Sequence, residues 1–236
     1  MNLKLIAHRS GTDRYPEQSR RAARFSLSQN VDFVEMDVRF TREGVPVICH
    51  DPNVERVFGV NCRVEDMSIE EFLKLKNREQ PEDRTFTLDT VFEEQLVPVL
   101  LHLKCDGKDL QTVLDHIAQY NMQDKVVIGI GDPLAVAQIK AFDSRIRVLA
   151  FMHTEADMET FLSSACEFIR LWEPWLTQEK IDRVHAAGKE VWIMSGTFDT
   201  VGYTDLANLK KWARMGVQAV LINEILKAKA VLEESK

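Results

Sequence analysis

Short apolar runs alternate with helix-like segments along almost the whole chain. The strand-like runs cover residues 3–8, 33–40, 97–104, 125–130, 147–152, 168–172, 190–195 and 219–223. Residues 109–120, 133–142, 155–164, 178–187 and 205–215 carry apolar side chains at helical spacings of three and four. A further helix is predicted over 16–30, because Pro16 suits a first helical turn. Eight strands alternating with helices predict an α/β protein and favour a closed (β/α)8 barrel.

One long polar stretch interrupts this alternation. Residues 51 to about 95 are only partly helical, with helices predicted over 68–76 and 88–94. We expect an elaborated connection over the C-terminal mouth of the barrel, where ligand-covering segments belong. No linker or shift of composition divides the chain, so residues 1–236 are predicted to form one domain. A closing helix is expected over 225–236.

Composition and charge narrow the classes of function. The chain has 236 residues, of which 45% are hydrophobic, and this is enough for a core. Its net charge of −7 argues against nucleic acid as a partner, but a local cationic pocket could still hold a small phosphorylated molecule. The four cysteines form no C-x-x-C pair, and neither a signal peptide nor a membrane span is apparent. A reduced, cytoplasmic protein is therefore expected.

Two carboxylates stand near the end of the second run. Glu35 and Asp37 are two residues apart in a strand, so both side chains point to the same face. Such a pair suits a hard divalent cation such as Mg²⁺ or Ca²⁺, although a salt-bridged polar layer is an alternative. His102 and Lys104 repeat this spacing on the next main strand. His102 could complete the metal site or hydrogen-bond Glu35, and Lys104 could neutralise the carboxylates or hold a phosphate oxygen.

Two histidines end other apolar runs. His8 is followed by Arg9, and His50 is followed by Asp51. Histidine carries protons near neutral pH, and the planar guanidinium of arginine suits a phosphate. A single histidine is more often structural, but two beside charged neighbours predict an acid–base pair. The histidines at 116, 153 and 185 are expected to be non-catalytic.

The order of these motifs resembles the glycerophosphodiester phosphodiesterase family. The motifs are IAHR at 6–9, PE at 16–17, VEMDVRFT at 34–41, GVPVICHD at 44–51, FTLDTV at 86–91, LHLK at 101–104, GKEVW at 188–192 and GVQAVLIN at 216–223. They cover nearly the whole chain in order. The resemblance implies a TIM barrel that hydrolyses glycerophosphodiesters to glycerol 3-phosphate and an alcohol, in lipid and glycerol metabolism.

The resemblance also implies a role for each matching residue. It implies that His8 and His50 are the acid–base pair, that Arg9 and Lys104 bind the phosphate, that Glu17 lies at the pocket edge, and that Glu35 and Asp37 bind the metal. The substrate's own glycerol hydroxyl would attack phosphorus, and water would then open the resulting cyclic phosphate.

Several positions depart from the family pattern. His102 replaces the third, acidic metal ligand, which removes one negative charge and should shift preference from Mg²⁺ or Ca²⁺ toward Mn²⁺. The late Trp-Thr-x-Asn motif is Met-Ser-Gly-Thr at 194–197, although Trp192 lies close by. Trp172 and Trp192 are expected to line the substrate pocket. These departures leave open two alternatives, a catalytically silent barrel that binds a phosphorylated ligand and a phosphodiesterase acting on lysophospholipids.

Overall fold

The computed structural model describes residues 3–104 and 109–233. Within these residues, eight parallel strands form one closed sheet, and an additional strand, β3, runs antiparallel to β2. The strands are β1 (Lys4–Ala7), β2 (Phe33–Phe40), β3 (Pro46–Ile48), β4 (Val99–Leu103), β5 (Val126–Ile130), β6 (Arg147–Ala150), β7 (Phe168–Trp172), β8 (Glu190–Met194) and β9 (Ala219–Ile222). Because β1 pairs with both β2 and β9, the sheet closes on itself. The predicted (β/α)8 barrel is confirmed.

Helices cover the outside of the barrel, except for two short ones at 55–58 and 69–73 in the connection between β3 and β4. The helices are α1 (Arg20–Ser28), α2 (Glu55–Phe58), α3 (Ile69–Leu73), α4 (Leu88–Glu93), α5 (Leu110–Gln119), α6 (Pro133–Phe142), α7 (Met158–Leu162), α8 (Gln178–Ala186), α9 (Ala207–Met215) and α10 (Ile225–Glu233). α1 begins later than predicted because Gln18 has a positive φ of 53°. The hydroxyl of Ser19 then caps the helix by accepting the backbone N–H of Ala22 at 3.1 Å.

The core has an outer and an inner layer, as strand alternation requires. The larger layer lies between sheet and helices and includes Val34, Met36 and Val38 of β2. The smaller layer fills the barrel and includes Phe33, Phe168 and Trp192. Glu35 and Asp37 alternate with the outer residues of β2, so their side chains face the barrel interior.

The connection between β2 and β4 has a hydrophobic cluster of its own. β3 pairs with the C-terminal half of β2, where Val38 faces Ile48. A satellite cluster joins Val47 of β3 to residues that follow it, namely Cys49, Val54, Val64, Met67, Phe72 and Leu75. The connection therefore stands at the C-terminal end of the barrel, as expected, and carries His50 there. Among the described helices, none combines the length and apolar character needed to cross a membrane.

Candidate active site

A strained turn after β1 presents the first histidine and arginine. Residues 8–10 form a single 3-10 turn in which Arg9 has the left-handed values φ 50° and ψ 40°. This conformation is costly for a residue other than glycine and usually persists where a site requires it. Here it directs the backbone N–H of Arg9 to Glu35 Oε2 at 2.7 Å. At Gly11, with φ 84°, a Cβ would lie 2.5 Å from the Ser26 hydroxyl, so only glycine fits.

The carboxylates of β2 are buried inside the barrel mouth. Glu35 and Asp37 are each 1% exposed. The side-chain amide of Gln18 donates to Asp37 Oδ2 at 2.7 Å. Asp37 Oδ1 lies 2.9 Å from His102 Nδ1 and 3.1 Å from Lys104 Nζ. Neither of these two contacts has the direction of a hydrogen bond, so that oxygen keeps a lone pair for another partner.

Three side chains at this point could hold a metal ion. Glu35, Asp37 and His102 each offer a ligand atom, and these atoms lie within 4.8 Å of one another. Strand register explains the grouping, because Asp37 and His102 are direct partners in the β2–β4 pairing. Two carboxylates and one imidazole suit a divalent cation, and the unpartnered Asp37 oxygen supports this fit.

The surroundings shift the pKa values of the two carboxyl groups in opposite directions. Burial raises the pKa of Glu35 well above its usual value, and the nearby negative charge of Asp37 raises it further. Burial also raises the pKa of Asp37, but the positive Lys104 and the contact with His102 outweigh burial, and the result lies well below the usual value. Burial and Lys104 lower the pKa of His102 to about 3. A neutral ring at this position has a lone pair available for a metal.

His8 is held as a neutral ring with a defined orientation. Its Nδ1 lies 2.8 Å from Asn223 Oδ1, while the Asn223 amide group donates to the carbonyl oxygen of Val201 at 3.2 Å. These contacts assign the proton of His8 to Nδ1 and leave Nε2 as an acceptor. Burial, followed by the charge of Arg9, lowers the pKa of His8 to about 4. The ring is therefore neutral near pH 7.

His50 is oriented by two charged neighbours. Its Nδ1 lies 2.7 Å from Asp51 Oδ1, and its Nε2 lies 2.9 Å from Arg9 Nη2. Because the guanidinium can only donate, Nε2 is the acceptor and Nδ1 carries the proton. The hydrogen bond with His50 lowers the pKa of Asp51, so that carboxylate stays ionised.

The carboxylate of Glu17 fixes the side chain of Arg9. Its Nη1 donates to Glu17 Oε2 at 3.0 Å, and Glu17 also pairs with Arg56. Arg56 in turn donates to Asp51 Oδ2 at 2.5 Å. Burial raises the pKa of Glu17, but the two arginines outweigh burial and bring it below its usual value. His50, Asp51, Arg9, Glu17 and Arg56 thus form one connected network at the rim.

The two tryptophans occupy different depths. Trp172, at the end of β7, is half-buried near the mouth, with its ring centroid 4.6 Å from that of Phe198. Trp192 is 0% exposed and stacks on Phe168 at 4.4 Å inside the barrel. Its indole N–H points to Glu190 at the N-terminal end of β8. The prediction that Trp192 lines the pocket is therefore wrong, because its ring fills the barrel below the mouth.

Several residues that position this network were missing from the sequence-based site. They are Gln18, Asp51, Arg56 and Asn223. Asp51 carried a usable signal, because it directly follows His50. Asn223 ends the last apolar run, which is a signal for the rim, but its partner could not be predicted, since 215 positions separate it from His8 and only barrel closure brings the two together.

Comparison with known proteins gives a consistent result. The model of the glycerophosphoryl diester phosphodiesterase family matches residues 8–227. A mouse protein named lysophospholipase D GDPD3 is 38% identical over 69 residues, which are 29% of this chain and 21% of the mouse protein. Mouse glycerophosphodiester phosphodiesterase 1 is 35% identical over 101 residues, covering 40% of this chain and 30% of its own length. These alignments thus span less than a third of each mouse relative.

Solved structures share the fold over the whole chain. A phosphodiesterase from Oleispira antarctica, in complex with the product sn-glycerol-3-phosphate, has a TM-score of 0.84 at 20% identity, covering 98% of this chain and 96% of that protein. A putative glycerophosphodiester phosphodiesterase from Galdieria sulphuraria has a TM-score of 0.82 at 22% identity, covering 99% and 98% respectively.

Proposed function

We propose that this chain, which belongs to the glycerophosphoryl diester phosphodiesterase family, is a metal-dependent enzyme that hydrolyses glycerophosphodiesters to glycerol 3-phosphate and an alcohol. The observation that carries the proposal is the convergence of segments distant in sequence. Strand ends and the β3 segment bring His8, Arg9 and His50 to the same rim as the cluster of Glu35, Asp37 and His102. A general acid, a general base and a cation site are the groups that phosphoryl transfer requires.

The two histidines divide the proton transfers. His8 is neutral near pH 7, so its Nε2 can remove the proton from the substrate's own glycerol hydroxyl. That oxygen then forms a bond to phosphorus, and the bond to the departing alcohol breaks. To act as the acid, His50 must carry a proton on Nε2, so Arg9 exchanges its contact with that nitrogen for a phosphoryl oxygen. His50 then gives this proton to the departing oxygen, and Asp51 stabilises the charge on its ring. Water opens the cyclic phosphate with the two roles reversed.

Arg9, Lys104 and the cation site bind the phosphoryl group. Arg9 is held in place by Glu17, so its guanidinium is oriented before the substrate arrives. Lys104 projects from the end of β4 beside Asp37. A divalent ion on Glu35, Asp37 and His102 would supply a Lewis acid for the phosphoryl oxygens. Because His102 is an imidazole, we expect Mn²⁺ to support turnover better than Mg²⁺ or Ca²⁺.

Turnover of glycerophosphocholine, glycerophosphoethanolamine and glycerophosphoglycerol with a panel of divalent ions tests the proposal. We expect glycerol 3-phosphate as a product, and we expect Asp37→Asn to abolish both turnover and the calorimetric signal of Mn²⁺ binding. Asp89→Asn is the matched control, because Asp89 pairs with His116 between two outer helices. If the wild type binds no divalent ion and releases no product, the barrel is catalytically silent and the proposal is wrong.

A lysophospholipid substrate is the second candidate. It is supported by the mouse relative whose name is lysophospholipase D. The same assay with lysophosphatidylcholine separates the two, since a lysophospholipase D would release choline and lysophosphatidic acid instead of glycerol 3-phosphate.

A further inference from the structure

A buried arginine stands beside the proposed reaction centre, and no carboxylate of the described residues pairs with it. Arg170, the middle residue of β7, is 5% exposed and faces the barrel interior. Its Nη2 donates to the carbonyl oxygen of Met152 at 3.1 Å. Its Nε and Nη1 have no hydrogen-bond partner, and no described acid (residues 3–104 and 109–233) forms an ion pair with it. Burial alone lowers its pKa to about 9, so the side chain is still charged near neutral pH.

The acids on the adjacent loops are engaged elsewhere. Glu173, three positions along the chain, accepts from the Gly196 backbone N–H at 2.6 Å and from Thr204 Oγ1 at 3.0 Å. Asp132 caps α6 by accepting the backbone N–H of Leu134 at 2.9 Å. An unpaired buried charge is among the more costly features a protein can contain. Because Arg170 carries such a charge at the barrel mouth, we expect a ligand of opposite charge to bind there.

Aromatic rings hold the guanidinium in place. Its central carbon lies 4.6 Å from the ring centroid of Trp172, 5.0 Å from that of Phe151 and 6.0 Å from that of Trp175. Such contacts stabilise a cation and fix its orientation without neutralising it.

Arg170 is one of the residues that line a cavity reaching the proposed metal site. The cavity has a volume of about 560 Å³, and Arg170, Arg39, His102 and Lys104 are among its lining residues. His102 stacks on Phe151 at 3.8 Å, so the ring that supports Arg170 also supports a proposed metal ligand. A substrate group in this cavity would therefore lie close to the scissile phosphate. Among the described residues of the lining, Asp132 is the single acid.

We propose that Arg170 is a specificity-determining residue that binds an anionic group, phosphate or carboxylate, on the alcohol esterified to glycerol phosphate. This inference rests on the proposed function of the same site. The glycerol itself is neutral, so a second negative charge on the substrate must belong to the alcohol. Substrates with an anionic alcohol are preferred over those whose alcohol is neutral or carries only a cation, such as choline.

The test compares diesters that differ in a single charged group. Glycerophosphoglycerol and the same diester with one phosphate on its second glycerol form the matched pair, and glycerophosphoserine tests a carboxylate. We expect the wild type to have a higher kcat/KM for the phosphorylated member of the pair. In Arg170→Met the ratio of the two kcat/KM values should fall about 10- to 100-fold, because a charge-assisted hydrogen bond is lost. Most of this change should be in KM.

Two further variants keep the test informative. Arg170→Lys retains the charge and should keep part of the preference, even if the methionine variant folds poorly. Arg147→Met is the control, since Arg147 also lies over an aromatic ring, that of Phe33 at 5.4 Å, but at the first residue of β6. Its substrate ratio should equal that of the wild type. An equal loss on every diester in Arg170→Met would mean that Arg170 binds the scissile phosphate, and the proposal would be wrong.

Binding without turnover separates this inference from the proposed function. Calorimetry of the metal-free protein in chelator should show tighter binding of the phosphorylated diester than of glycerophosphoglycerol. Loss of this difference in Arg170→Met would support the anion site even in a protein that hydrolyses neither diester. A wild type that binds the two diesters equally and shows no kinetic preference would contradict it.

Discussion

The two halves of the barrel mouth differ in how their charges are partnered. At the ends of β1, β2 and β4, and on the segment after β3, charged side chains contact one another in two groups, one from Glu17 to His50 and one from Glu35 to Lys104, which the backbone N–H of Arg9 links through Glu35. We call this the catalytic half. At the ends of β5 to β8, the recognition half, aromatic rings surround Arg170, which has no ion partner among the described residues. If the proposed function is right, the contrast separates groups that are fixed for chemistry from a group that is available for a ligand.

Removing a proton carrier from the catalytic half should give the largest effect. We expect His50→Gln to lower kcat about 10²- to 10⁴-fold, because acid catalysis of alcohol departure is lost. Steady-state kinetics on the best diester and metal provide the measurement. His116→Gln is the control, since His116 makes the same kind of contact, with Asp89 at 2.6 Å, away from the mouth. An unchanged kcat in His50→Gln would remove the basis for naming this half catalytic.

Acid should destabilise the catalytic half through His8. The pKa of its ring is about 4 in the folded protein, against 6.5 for an ordinary histidine, so below pH 6.5 the unfolded chain binds a proton that the native state does not. The resulting loss of stability grows as the pH falls toward 4 and reaches about 2 kcal/mol at pH 5. Urea unfolding of the metal-free protein at pH 7 and pH 5 should show that His8→Gln loses about 2 kcal/mol less than the wild type. Equal losses would contradict the buried, neutral state of His8.

A change at the edge of the recognition half should have the smallest effect. We expect Trp172→Leu to raise KM about 2- to 10-fold with a smaller change in kcat, because the ring that positions Arg170 is removed. Trp172→Phe keeps a flat aromatic face and should restore most of the affinity. If Trp172→Leu lowered kcat as strongly as His50→Gln, the division between the halves would fail.

The site residues that could be predicted follow from two features of the sequence, the alternation of side chains along a strand and the position of strand ends. A period of two placed Glu35 and Asp37 on one face, and the barrel rule that strand ends share a rim grouped them with His102. The same alternation gives a residue's face but not its depth, which is why Trp192 was wrongly assigned to the pocket. Arg170 was overlooked although it carried a signal, since it is a charged residue between two inward-facing aromatic positions of β7, Phe168 and Trp172.

Contacts that form only when the barrel closes or a connection folds back could not be predicted from the sequence. The hydrogen bond between His8 and Asn223 joins the two ends of the chain through the β1–β9 pairing. The link between Arg9 and His50 depends on how the connection after β2 folds back. Neither position carries a local pattern that indicates its partner.

The position of His50 depends on the satellite cluster around Phe72, outside the barrel itself. Small structural units of this kind open at a lower free energy than a closed sheet does. Warming would then detach one of the two imidazoles while all eight parallel strands remained hydrogen-bonded. Spectroscopy would still report an intact fold at a temperature where the proposed acid had already left the site. The upper temperature for function would then be set by the satellite cluster rather than by the core of the barrel.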